Sequence, residues 1–89
     1  MARLEMSGFE GSISGGKALS DEALFDLGLQ YASGRGVEPD LVAAHKWFNL
    51  AALKGNAAAR AYRSEIASEM SRREISSAQR QAREWLARR

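Results

Sequence analysis

Residues 23–58, ALFDLGLQYASGRGVEPDLVAAHKWFNLAALKGNAA, repeat small and large apolar residues at helical offsets on both sides of a glycine-rich break. Leu24, Leu27, Gly28 and Tyr31 stand at i, i+3, i+4 and i+7 and share one helix face. Glycine inside a helix costs about 0.5–1 kcal/mol relative to alanine, so Gly28 implies close approach of a second helix. Ala44, Trp47 and Ala51, at i, i+3 and i+7, supply that helix with a shallow groove beside one large knob. Gly34 and Gly36 bracket the turn, where the left-handed backbone is open to glycine. Pro39 suits the first turn of the second helix or the residue before it, and Asp40 places negative charge at the helix's positive end.

This constellation resembles the Sel-one-like repeat, a relative of the tetratricopeptide repeat in which antiparallel helix pairs stack into a solenoid. The resemblance rests on Leu27, Gly28 and Tyr31 in the first helix, on Gly34, Gly36 and Val37 in the loop, on Asp40, and on Ala44 and Trp47 in the second helix. Ala51, Ala52 and Gly55 complete it. It implies an all-α domain, non-enzymatic, that assembles protein complexes as an adaptor or regulatory subunit, often in bacterial signalling or stress responses.

Residues 57–89 read as a degenerate, capping hairpin after the well-formed unit at 20–56. Asn56 caps a helix from Ala57 to about Met70. Ser71 and Glu74 have capping-box spacing and open a final helix, whose seam is Ile75, Ala78, Ala82, Trp85 and Leu86. Ala82 and Trp85 repeat the spacing of Ala44 and Trp47. Arg63 replaces the expected glycine and the Gly-x-Gly-Val loop is missing, as suits a terminal cap. The expected fold is therefore a short α-solenoid of about four helices in two antiparallel pairs.

Residues 1–19 differ in composition. Four of the eight glycines fall between Gly8 and Gly16 among serines, leaving Leu4, Met6, Phe9 and Ile13 as scattered apolar residues, so a flexible arm is expected. Ser20 ends it as the cap of the first helix. Within the arm, Gly11 to Lys17 matches Gly-x-x-x-x-Gly-Lys, but Ala18 stands where a magnesium-binding Ser or Thr belongs, and 89 residues are too few for the parallel sheet that motif needs.

Catalysis and cofactors find no foothold. With no cysteine, disulfides, thiolate chemistry and Cys-based zinc sites are excluded. His45 is the only histidine and is expected at the edge of the polar face, solvated. Asp21, Glu22 and Asp26 read as an acidic first turn rather than a metal site. No apolar run approaches membrane-span length and Met1 to Met6 lacks a signal-peptide core, so a cytoplasmic location is expected.

Two surfaces remain. Phe25, Leu29 and Ala32 form a second apolar stripe on the first helix, about 100° from the core seam. In a longer array it would lean on a preceding repeat. Here it is the expected partner-binding surface, together with Phe9 and Ile13 of the arm, for a partner protein or a second copy of the chain. The competing reading is that the third helix covers the stripe. Charge marks the other surface: residues 60–89 hold eight Lys or Arg against four Asp or Glu, whereas residues 1–59 hold five against seven. Arg72, Arg73, Arg80 and Arg83 project from the last helix, and the alternative function is a nucleic-acid-associated accessory role through that stripe. No aromatic lies among them for base stacking, which favours a protein-contacting or solvated face.

Overall fold

The computed structural model describes residues 19–88. Four helices follow one another: α1 (Asp21–Ser33), α2 (Leu41–Leu53), α3 (Ala57–Ala67) and α4 (Arg72–Arg88), with no strand among the described residues. Phe9, Ile13 and the Gly11 to Lys17 motif lie outside them.

Local chemistry sets each boundary. The Ser20 hydroxyl accepts from the Ala23 N–H at 3.0 Å and the Asp40 carboxylate from the Ala43 N–H at 3.1 Å, each satisfying an orphan donor of its helix. Gly34 closes α1 at φ 77°, and its N–H donates to the Gln30 carbonyl. A Cβ there would stand 2.7 Å from Pro39 Cγ, so the position requires glycine on both counts. The Asp40 N–H then donates to the Tyr31 carbonyl at 2.9 Å, folding the loop back onto α1. Asn56 caps α3 at 2.7 Å. Ser71 and Glu74 form the reciprocal capping box, at 3.0 and 2.8 Å. α3 stops at Ala67, short of Met70, because the N–H groups of Ser68, Glu69 and Met70 turn to carbonyls three residues back.

α2 is the hub: each principal helix–helix interface includes it. It buries residues on almost every side, among them Ala44, Trp47, Phe48, Leu50, Ala51 and Ala52. Phe48 is fully buried and lies directly on Gly28, where an added Cβ would overlap the ring. The glycine is there for close approach, as its cost demanded, but the knob is Phe48 rather than Trp47. Trp47, one residue earlier and so about 100° around α2, meets Trp85 of α4 edge-on, with ring centroids 5.6 Å apart. Phe48 thus locks α1 to α2, and Trp47 locks α4 to α2.

The entry of the chain is fixed as well. Leu19 is buried in the core, and its carbonyl accepts from Lys54 Nζ at 2.8 Å. Beside it, Asn56 Nδ2 donates to Asp21 Oδ2 at 2.9 Å, joining the starts of α1 and α3.

Candidate protein-binding surface

The Asp21–Asn56 bond joins the first residue of α1 to the cap of α3, and further along the same helices Phe25 meets Tyr62 edge-on at 5.4 Å. Two contacts in the same chain order make α1 and α3 neighbours that run in the same direction. Phe48 completes an aromatic triangle, 5.7 Å from Phe25 and 5.6 Å from Tyr62. Phe25, Leu29 and Ala32 are half-buried and pack against the core. α3 therefore covers one side of the α1 stripe through Tyr62. Tyr62 itself is 42% exposed, and Ala58, one turn before it, is exposed too. What remains open is a shallow apolar seam where α1 meets α3, bordered by the exposed carboxylates of Glu22 and Asp26. Sequence offsets brought out Phe25, Leu29 and Ala32 but not Tyr62. Its signal was the i+4 spacing from Ala58, on the flank of the Ala59 and Ile66 positions that face the core.

On α4, Arg72, Arg73, Ser76, Ser77 and Arg80 line an open hollow of about 540 Å³. Arg80 is engaged locally, 3.8 Å from Glu84 and 3.4 Å from the Ser77 hydroxyl. Both members of that pair are half-exposed, and such pairs contribute about 0–1 kcal/mol. Arg72, Arg73 and Arg83 are exposed and form no ion pair among the described residues. No aromatic side chain lines the hollow among the described residues, and Trp85 is turned away onto Trp47.

His45 departs from expectation. It is buried, 3% exposed, and its Nδ1 has no hydrogen-bond partner among the described residues. α2 is enclosed on several sides, so the face assumed to be polar is an inner one. Burial, and secondarily the positive charge of Arg63, hold its pKa below 6.5. Arg63 is itself tied to the next turn of α2, donating to Asn49 Oδ1 at 2.6 Å.

The folded chain therefore holds that proton less tightly than the unfolded one, and stability is expected to fall as pH drops through the unfolded pKa near 6.5. Thermal melts are expected to show a plateau above about pH 7 and a decline toward about pH 5, with the decline flattened in His45→Leu. An identical decline in that variant would remove His45 as its source.

Nothing among the described residues gathers three or more His, Cys, Asp or Glu side chains into a metal-holding group. No helix among the described residues is long and apolar enough to cross a membrane. The described residues carry an apolar seam and a basic face on a helical scaffold.

Searches among curated proteins and solved structures return no significant match. The family description Sel1 repeat matches residues 21–56, which span α1, the glycine loop, α2 and the Asn56 cap. Sel1 repeats generally mediate protein–protein interaction and are typically non-enzymatic scaffolds. The matched positions are those whose packing has just been described, from Gly28 under Phe48 to the left-handed Gly34 and the capping Asp40. Residues 21–56 of this chain are thus similar to a Sel1 repeat, and the all-helical fold is of the tetratricopeptide-like hairpin type.

Proposed function

We propose that the chain is a non-enzymatic adaptor or regulatory subunit, acting in the cytoplasm, that binds a partner protein along the α1–α3 seam. The contacts are Phe25, Leu29 and Ala32, joined by Tyr62, with Phe9 and Ile13 of the amino-terminal segment adding to them. The observation that carries this reading is the half-exposed Phe25–Tyr62 pair, an apolar edge beside a carboxylate rim. Aromatic side chains with one open face are the residue types that dominate binding energy in protein interfaces.

The test compares wild type with Phe25→Ser and Leu29→Ser in a nuclease-treated pull-down read by quantitative mass spectrometry. Phe25 also packs on Phe48, so Phe25→Ser is expected to lower stability by about 1–3 kcal/mol while retaining helix content. Leu29→Ser separates binding from stability. A partner protein enriched with wild type and lost with both variants supports the reading. Equal recovery with all three chains overturns it. Nucleic-acid binding at the arginine face is the less supported reading, since no aromatic among the described residues lines that hollow for bases to stack on.

A further inference from the structure

The chain carries two exposed surfaces of opposite charge, on different helices packed against α2. α1 presents Glu22 and Asp26, both exposed, on the side of the helix that carries Leu29: Asp26 precedes Leu29 by three residues and Glu22 precedes it by seven. α4 presents the same arrangement with the sign inverted. Arg83 precedes Leu86 by three residues, Leu86 is 42% exposed, and Arg72, Arg73 and Arg80 extend the positive face along the helix. Each helix therefore offers a partly open leucine with a charge one turn before it, negative on α1 and positive on α4.

No ion pair joins α1 to α4 within one molecule among the described residues. Both pack on α2, but by different sides, α1 through Gly28 against Phe48 and α4 through Trp85 against Trp47. The complement of each surface is the other surface of a second molecule.

We propose that copies of the chain associate head to tail, with α4 of one lying on the α1 surface of the next. Leu86 meets Leu29 and the edge of Phe25, while Arg83 and its neighbours meet Glu22 and Asp26. This rests on the reading of α1 as a binding surface and names its occupant. The contact joins different patches on the two copies, so it extends to rings or open chains rather than stopping at a symmetric dimer. Its charged part lies at an exposed rim, so association is weak and strongly salt-dependent.

Sedimentation velocity of the full chain tests this. For wild type, the average mass is expected to rise with concentration in about 20 mM salt and to return to that of the monomer in about 500 mM salt, where screening is strong. Arg73→Glu with Arg83→Glu, and separately Glu22→Lys with Asp26→Lys, should each give a folded monomer with association weakened about tenfold or more. Mixing the two double variants should restore association, because each then presents the charge that the other's altered surface needs. A monomeric wild type at millimolar concentration, or association unchanged by either reversal, overturns the proposal. So does loss of binding to a labelled single-stranded oligonucleotide in the arginine double variant of a protein that stays monomeric, which would give the face to nucleic acid. The pull-down with Leu29→Ser distinguishes the two readings: a different protein captured by a monomeric chain removes only self-association.

Discussion

Phe48→Ala is expected to unfold the domain or to lower its stability by about 3–5 kcal/mol, the loss that accompanies a large cavity in a core. Phe48 is fully buried, its ring lies on the bare backbone of Gly28, and Phe25 and Tyr62 pack around it. Truncation removes the fully buried corner of the Phe25–Phe48–Tyr62 triangle and leaves the glycine facing a void. The small size of the domain sharpens the effect, since native domains have only about 5–15 kcal/mol in hand. Gly28→Ala is the reciprocal change. Alanine is the better helix former, yet here its Cβ overlaps the ring, so stability should fall rather than rise. Combined with Phe48→Leu, the same alanine should cost less, and the difference measured by urea unfolding is the coupling between the two positions. Additive effects in that cycle would mean that the ring does not set the spacing of α1 and α2.

Trp47→Ala should cost about 3–5 kcal/mol as well, by a different route. Trp47 joins α2 to α4 through the edge-on contact with Trp85, and Lys46 Nζ stands 4.3 Å from the Trp47 ring centroid. The loss therefore falls on the attachment of α4 and spreads from there. Trp85→Ala removes the same contact from the less buried side and is expected to cost less while loosening the same helix. Hydrogen exchange gives the check: α4 amides should lose protection first in Trp85→Ala, ahead of those in α1. Uniform loss over all four helices would show that α4 is not separately attached. A folded Trp47→Ala with unchanged melting would overturn the packing scheme altogether.

The helix boundaries were legible because they rest on near neighbours in sequence. Ser20, Asn56 and the Ser71–Glu74 box each act across three residues, and the sequence carries such short-range chemistry openly. Gly28 was legible in a weaker sense, since its helix penalty demanded a close neighbour without naming one. Phe48 stayed hidden because offsets look for one apolar stripe, and a helix with neighbours on several sides has no single stripe to find. The same blindness placed His45 at the edge of the polar face, whereas it lies on a buried side of α2. Tyr62 belongs to a contact between α1 and α3, which local periodicity cannot reach. On α4 the arginine stripe could be read from spacing, whereas the hollow it lines is a matter of three-dimensional shape.

The pair of long-range bonds at the start of the fold, Lys54 to the Leu19 carbonyl and Asn56 to Asp21, has a directional consequence. Both span 35 residues and both close at the end where α1 and α3 begin. The described chain therefore enters the fold at that end. Leu19 and the exposed Ser20 stand there beside the α2–α3 turn, at the opposite end of α1 from the Gly34 loop.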